Sequence, residues 1–95
     1  MIVLPTLRQL QFFLALARRK SFSKAAEDCL VSQSTLSSAI KELESILGAQ
    51  LVDRSTRAFA LTPAGEEAAD RAAPILAMVE DLARDRKSTR LNSSH

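Results

Sequence analysis

The sequence predicts a mainly α-helical fold of three short helices and a small β-hairpin, followed by a long fourth helix. Apolar residues recur at helical spacing in four segments, and turn-forming residues separate these segments. Hydrophobic residues make up 46% of the 95-residue chain, which is enough for one modest core. Because there are four phenylalanines and no tyrosine or tryptophan, this core must be built largely from Leu, Ile, Val and Ala.

The first helix is predicted to begin after Thr6. Gln9 lies three residues further on, and together the two residues form the pattern of a capping box. Residues 18–20 are all basic and fall in the last turn, where cations interact favourably with the helix dipole. The apolar positions that follow the cap at helical spacing are Leu7, Leu10, Phe13, Leu14 and Ala17.

Two further helices are predicted before residue 50. The second is expected over residues 23–29 with Ser23 as its N-cap, because serine is a favoured capping residue. The third is expected over residues 33–47, between Ser32 as N-cap and Gly48 as the terminating residue. Its apolar seam consists of Leu36, Ile40, Leu43 and Leu47.

A hairpin and a long helix complete the predicted fold. Extended runs at residues 50–53 and 58–61 flank a basic tip, which is typical of a small β-hairpin. Thr62 and Pro63 then form an N-cap and first-turn pair that starts the fourth helix, over residues 63–84. Pro74 removes one backbone hydrogen bond, so we expect a kink there, at a cost of roughly 3 kcal/mol unless packing compensates.

The fourth helix carries a heptad-like seam, which either packs on its own domain or forms a dimer. Because a helix this long has little domain to lie on, the sequence favours dimerisation. The seam residues are Ala68, Ala72, Ile75, Val79 and Leu82.

Composition and residue inventory exclude several classes of protein. The single Cys29 excludes an intramolecular disulfide, and one cysteine with one histidine cannot form a structural zinc site. We expect Cys29 to be a buried small hydrophobic residue. There is no Ser/His/Asp set, carboxylate pair or glycine-rich phosphate loop, so neither an enzyme nor a cofactor is expected. The apolar start, residues 1–4, is too short for a signal peptide and no run of roughly 18 apolar residues is present, so we expect a cytoplasmic protein.

Charge is distributed unevenly along the chain. The net charge of +2 combines +3 for residues 1–62, −3 for residues 63–84 and +2 for residues 85–95. Overall basicity therefore gives little support for nucleic-acid binding by itself. The last segment, 85–95, has no apolar periodicity and resembles the translation of a sequencing-library adapter. We therefore expect it to be a non-native, disordered tail.

The third helix presents an unusual polar face. A face that is only solvated would more often carry Glu and Lys, which are better helix formers, but the leading turns here are uncharged. A helix of this kind suits the DNA major groove, where Gln pairs with adenine and Ser or Thr bonds several base edges. Lys41 could reach a phosphate, and Arg54 and Arg57 of the hairpin could enter a minor groove. The alternatives to DNA binding are that the helix start is an ordinary solvated surface and that the arginines are surface charges paired with Asp53.

The ordered motifs resemble those of the LysR-type transcriptional regulators. They span residues 6–84 in register and are SFSKAA at 21–26, VSQSTLS at 31–37, IKELE at 40–44, LG at 47–48, LVDR at 51–54 and LTPAG at 61–65. The resemblance implies a winged helix-turn-helix over residues 1–62, and a linker helix over residues 63–84 that pairs across a homodimer. Full-length members can form tetramers, and they bind pseudo-palindromic promoter DNA.

The resemblance also assigns roles to particular residues. The wing arginine of the family falls on Arg57, while Ser38 departs from the longer polar or basic residue that many members carry. The segment at 7–12 and the region of Cys29 are similar to the hydrogen-peroxide-inducible activators, whose redox cysteines belong to the effector-binding domain. That domain would follow the linker helix, and a small-molecule effector would act only through it. The family's base-reading positions fall on Gln33, Ser34, Thr35, Ser37 and Ser38.

Two other interpretations remain open on the sequence. One is a small helical dimer that binds a protein partner through the fourth helix, which should show no salt-dependent DNA binding. The other is a winged-helix regulator of a different family.

Overall fold

Four α-helices and one isolated β-bridge form the part of the chain described by this computed structural model, residues 2–87. Their order and type confirm the predicted mainly α-helical class. The helices are α1 (Leu7–Arg19), α2 (Phe22–Cys29), α3 (Gln33–Leu47) and α4 (Pro63–Lys87).

The ends of α1 and α3 are determined by local hydrogen bonds, as predicted. Thr6 Oγ1 accepts from the Gln9 amide at 3.0 Å, and the Gln9 side chain accepts from the Thr6 amide at 2.9 Å, which completes the capping box. Ser32 Oγ accepts from the Thr35 amide at 3.1 Å at the start of α3. Gly48 ends α3 with a φ of 69°, a left-handed conformation in which glycine has no side chain to clash.

The start of α2 differs from the prediction. Ser21 rather than Ser23 is the N-cap, and its hydroxyl accepts from the Lys24 amide at 3.3 Å. The cause is the end of α1, where Lys20 adopts a left-handed conformation with φ 54° and the chain becomes extended at Ser21. Only an extended residue can direct its side chain at the next turn, so Phe22 becomes the first helical residue.

The core lies where α1, α2 and α3 meet the start of the hairpin. Burial of each large apolar side chain contributes roughly 1.5–3 kcal/mol, so a handful of such residues stabilises the arrangement of the three helices. The largest fully buried side chains are Phe13, Leu16, Leu36, Ile40, Leu43 and Leu51.

One buried polar side chain sets the position of α3 relative to α1. Gln9 is buried, and its Nε2 donates to Glu42 Oε1 at 2.8 Å while its Oε1 remains in the capping box. A buried amide left without a partner would cost about 1–3 kcal/mol, so this bond favours one relative placement of the two helices.

The predicted hairpin is reduced to a single antiparallel bridge between Val52 and Leu61. Two backbone hydrogen bonds flank the bridge: the Asp53 amide donates to Ala60 O at 2.9 Å, and the Thr62 amide donates to Leu51 O at 3.0 Å. We call residues 50–61 the wing. The predicted strands 50–53 and 58–61 are therefore wrong in extent, although their pairing direction is right.

Side chains at the wing tip explain why the ladder stops. Asp53 Oδ1 accepts from the Ser55 amide at 2.9 Å and from its hydroxyl at 2.5 Å, and Thr56 Oγ1 donates to Ala58 O at 2.5 Å. Such local bonds give the backbone partners that compete with strand pairing, so the tip folds as turns.

The fourth helix begins at Pro63 as predicted and continues to Lys87, three residues beyond the predicted end. Residues 88–95 of the expected tail lie outside the described residues. α4 runs through Pro74 without a break, and the kink remains a prediction. α4 packs on α1 through Ala72 and Leu76, both of which are buried.

Candidate nucleic-acid interface

The leading turns of α3 form a polar surface at the side of the molecule. Gln33, Ser34, Thr35, Ser38 and Lys41 are exposed there. Ser37 is half-buried. Five of the six predicted α3 residues are therefore open to solvent and can meet another molecule.

The N-cap orders part of this surface. The Ser32 hydroxyl donates to Thr35 Oγ1 at 2.9 Å and lies 3.1 Å from the Ser34 hydroxyl. Because Thr35 Oγ1 accepts this bond, the Thr35 hydroxyl proton stays available to an outside acceptor. The side-chain amide of Gln33 makes no hydrogen bond within residues 2–87, so its NH₂ group and its carbonyl oxygen are both available to a ligand.

The electrostatics at this end of α3 favour an anionic or electron-rich ligand. No acidic residue lies in the first turn. The partial positive charge of the helix N-terminus is therefore not neutralised, and the free backbone N–H groups point outward. Hydroxyl and amide groups on such a helix end can hydrogen-bond to polar base edges or to phosphate oxygens.

The two wing arginines differ in their surroundings. Arg54 Nη1 lies 3.1 Å from Glu44 Oε2, whereas Arg57 is exposed and makes no ion pair among the described residues. The alternative in which Asp53 pairs with these arginines does not describe this structure. The Ser55 hydroxyl and backbone amide both donate to Asp53 Oδ1, and these hydrogen bonds lower the pKa of Asp53.

Glu44 links α3 to the beginning of the wing. Its Oε2 accepts from the Leu51 amide at 2.8 Å, the Val52 amide at 3.3 Å and the Arg54 guanidinium. Partial burial raises the pKa of Glu44, but the Leu51, Arg54 and Val52 hydrogen bonds lower it by more. The pKa of Glu44 therefore lies below its ordinary value.

A depression of about 310 Å³ separates the N-terminus of α2 from the wing. Ser21 and Phe22 line one side, and Arg57 and Phe59 line the other. The Phe22 and Phe59 rings meet edge to face, with centroids 6.2 Å apart and planes at 71°, which attaches the wing to α2. Sequence reasoning missed Ser21, Phe22 and Phe59 as residues of this site. The available signal was that two of the four phenylalanines, Phe22 and Phe59, lie at the start of α2 and in the wing.

The predicted dimerisation seam divides into two parts. Ala68 packs against the core of its own domain and Ala72 is buried, so both face inward. Ile75, Val79 and Leu82 are exposed by 45%, 36% and 56%, and Met78 beside them by 70%. These four residues, spaced 3, 1 and 3 apart, form a continuous apolar stripe on one face of α4, which we call the α4 stripe.

Cys29 packs against the core of the domain. Cys29 is half-buried against the core, and burial, followed by the neighbouring Asp28, raises the pKa of its thiol. Among residues 2–87, no three His, Cys, Asp or Glu side chains lie together as metal ligands. No helix in the same part of the chain has both the length and the apolarity needed to cross a bilayer.

The family comparison identifies the class of protein that this architecture represents. Residues 7–66 match the model of the bacterial regulatory helix-turn-helix proteins of the lysR family. The match covers more than half of the chain and includes α1, α2, α3, the wing and the start of α4. The chain belongs to this family, which confirms the resemblance and rules out the interpretation as another winged-helix family.

Individual relatives and structures agree with this assignment. The transcriptional regulator EstR of Acinetobacter baylyi is 45% identical over 84 residues, which are 88% of this chain and 28% of that protein. The hydrogen peroxide-inducible genes activator of Escherichia coli O6:H1 is 41% identical over 76 residues, 80% of this chain and 25% of that protein. The chain thus spans roughly a quarter of the length of these relatives.

A solved structure covers almost the whole of both chains. It is the BenM DNA-binding domain in complex with benA site 1 DNA, with a TM-score of 0.84 and 36% identity over 95% of this chain and 99% of that one. Likeness to peroxide-inducible activators is confirmed, but EstR and BenM are similarly close. The shared segment is therefore the family's DNA-binding domain rather than a mark of one subgroup.

Proposed function

We propose that this chain is the DNA-binding domain of a LysR-type transcriptional regulator and reads double-stranded promoter DNA as a homodimer. The observation that carries the proposal is the exposed polar surface at the leading turns of α3. Gln33 and Thr35 offer unoccupied hydrogen-bonding groups there, and the Ser32 cap holds Ser34 and Thr35 in place. Side chains that are ordered before binding, such as Ser34 and Thr35, recognise base edges at low entropic cost.

Each candidate residue receives a role from its position. Gln33, Ser34, Thr35, Ser37 and Ser38 would contact base edges in the major groove. Lys41, one turn further along, would contact a phosphate. Arg57 would reach the minor groove beside the wing, because its charge has no ion-pair partner among the described residues.

The α4 stripe would join two copies of the chain. An exposed row of Ile75, Met78, Val79 and Leu82 leaves apolar area in water that a second α4 would cover. Ala68 and Ala72 would contribute indirectly, because their burial against the first domain holds α4 in place. Two domains held this way would match two related half-sites on DNA.

The domain organisation follows from these roles. Residues 1–62 would form the DNA-binding unit and residues 63–84 the linker and dimerisation helix. A longer protein of this kind would carry an effector-binding domain after α4, could assemble as a tetramer and would work in the cytoplasm. These features of the whole protein are part of the proposal, since the chain spans only a quarter of its relatives.

The proposal is tested by binding the 95-residue chain to a random-sequence duplex library, with several rounds of selection. We expect enrichment of duplexes with two related half-sites and an affinity that falls steeply with salt. Arg57→Ala removes one charge beside the phosphates that border the minor groove from each chain of the dimer, so it should flatten the slope of log affinity against log salt by about 1.8, the effect of two phosphate contacts.

The matched control is Arg18→Ala, which removes the same charge from the exposed end of α1, on the side that faces α4. This variant should leave the salt slope unchanged. A folded dimer that enriches no sequence and binds without salt dependence would instead indicate a module that binds a protein partner.

A further inference from the structure

We propose that Glu44 is a positioning residue for DNA reading, and that Arg54 acts through Glu44 rather than by contacting DNA. One carboxylate fixes the wing to α3 and neutralises one of the two wing arginines. This inference rests on the proposed function, because it concerns how the same surface discriminates between DNA sequences.

The geometry places three donors on one oxygen atom. Glu44 Oε2 accepts from the Leu51 amide at 2.8 Å, from Arg54 Nη1 at 3.1 Å and from the Val52 amide at 3.3 Å. The Glu44 side chain is only 12% exposed, compared with 38% for Arg54. The carboxylate is therefore enclosed by the wing rather than directed at solvent.

The two amides need this acceptor because no strand pairs with that edge of the wing. The backbone hydrogen bonds beside the bridge use the Asp53 and Thr62 amides, and leave the Leu51 and Val52 amides without a backbone acceptor. Leu51 and Val52 are themselves buried, so water is a poor substitute. Glu44 takes the place of a neighbouring strand and ties the wing to the helix that reads DNA.

The charge of Glu44 has a second consequence. Because Glu44 pairs with Arg54, Arg57 is the wing arginine without an ion-pair partner in the described residues. Each wing therefore offers one unpaired positive charge to DNA phosphates rather than two. Phosphate attraction is independent of sequence, whereas correct placement of α3 and the wing together is needed at a cognate site. The pair therefore restrains non-specific binding while it holds the specific geometry.

The test uses four forms of the 95-residue chain: wild type, Glu44→Gln, Arg54→Ala and the double variant. Glutamine preserves the size and keeps a carbonyl oxygen for the Leu51 and Val52 amides, so this variant should fold. Because its oxygen is uncharged, it binds these amides roughly half as strongly as the carboxylate and holds the wing less firmly. The double variant has the same net charge as wild type. Each form is titrated against salt on the duplex enriched by selection and on a scrambled duplex of equal length and composition.

We expect Glu44→Gln to bind the scrambled duplex more tightly, with a salt slope steeper by about 1.8, because Arg54 becomes available to a phosphate in both chains of the dimer. Its ratio of affinities for the enriched and scrambled duplexes should fall several-fold. In the double variant the slope should return to the wild-type value, while the affinity ratio stays reduced.

Two results would overturn the inference. A double variant whose salt slope is shallower than wild type by about 1.8 on both duplexes would make Arg54 a direct phosphate contact in each chain of the dimer. A Glu44→Gln variant with an unchanged affinity ratio would remove the positioning role.

A merely structural effect is distinguishable, because loss of folded protein lowers both affinities equally and leaves their ratio unchanged. Circular dichroism supplies the folded fraction for each form. Failure of the proposed function is distinguishable as well. In that case wild type itself would show no difference between the enriched and scrambled duplexes, whatever the variants do.

Discussion

Replacing Gly65 by alanine should destabilise the chain through one backbone clash. Gly65 is buried in the first turn of α4. A Cβ atom there would lie 2.1 Å from the Leu51 carbonyl oxygen, 2.9 Å from its carbonyl carbon and 3.2 Å from its Cα. Because ordinary C···O contacts are about 3.3–3.6 Å, the start of α4 and Leu51 would have to separate by more than 1 Å.

The magnitude follows from three contributions. Forcing an extra carbon into a packed site costs about 1–3 kcal/mol, and more where the neighbour is backbone. The same oxygen accepts from the Thr62 amide at 3.0 Å, and losing that hydrogen bond costs about 0.5–1.5 kcal/mol. Alanine is favoured over glycine within a helix by roughly 0.5–1 kcal/mol. Together these contributions lower the free energy of unfolding by about 0.5–4 kcal/mol, and the backbone neighbour favours the upper part of this range.

The measurement is urea unfolding followed by circular dichroism at one fixed protein concentration, since dimerisation links stability to concentration. Gly48→Ala is the matched control. A Cβ atom at Gly48 meets nothing within 4 Å, and only its φ of 69° opposes alanine, at a cost of roughly 1–2 kcal/mol. If Gly65→Ala proved as stable as wild type, or more stable than Gly48→Ala, the close contact between α4 and Leu51 would not exist in solution.

Three further predictions concern the α3 surface, the α4 stripe and pH. Gln33→Ala should weaken binding to the selected duplex by roughly 1–3 kcal/mol. The control is Ser45→Ala, an exposed change far along the same helix, which should leave the affinity unchanged. Equal affinities of Gln33→Ala and wild type would remove Gln33 from base reading. Val79→Asp should dissociate the dimer in light scattering, because it places an unpaired charge in the seam, and Ala77→Asp on the opposite face should not; a dimer that persists would contradict the α4 stripe. Because the folded-state pKa of Glu44 is depressed, its stabilisation should be complete above the unfolded value of about 4.3 and lost as pH falls through the folded pKa. The measurement is the free energy of unfolding of wild type and of Glu44→Gln as a function of pH. The difference between the two curves isolates the contribution of Glu44, and identical curves would contradict the prediction.

Local sequence signals predicted the helix ends where the partners are close in the chain. Thr6 with Gln9, Ser32 with Thr35 and the left-handed Gly48 each involve residues within one turn of the helix. The start of α2 shows the limit of such signals. Two serines were equally suitable by type, and the conformation in which α1 ended selected Ser21.

The candidate site divides in the same way. The polar leading turns of α3 could be identified from residue type and helical spacing, because the apolar seam on the other side of the helix determines which residues face outward. The different surroundings of Arg54 and Arg57 could not be identified in this way, because the two residues are of the same type and only three positions apart. The folded chain brings Glu44 beside Arg54 and leaves Arg57 exposed.

By itself, the sequence of this protein determined the helix order, the caps of α1 and α3 and the polar surface of α3. Helical periodicity and capping act over a few residues, and the motif order identified the family. Tertiary structure alone decided the second hydrogen bond of Gln9 with Glu42, the inward placement of Ala72 and the enclosure of Glu44 by the wing. Each of these depends on atoms that are distant in the chain or on which face of a helix meets the core. Periodicity reveals an apolar face, but packing decides what covers it.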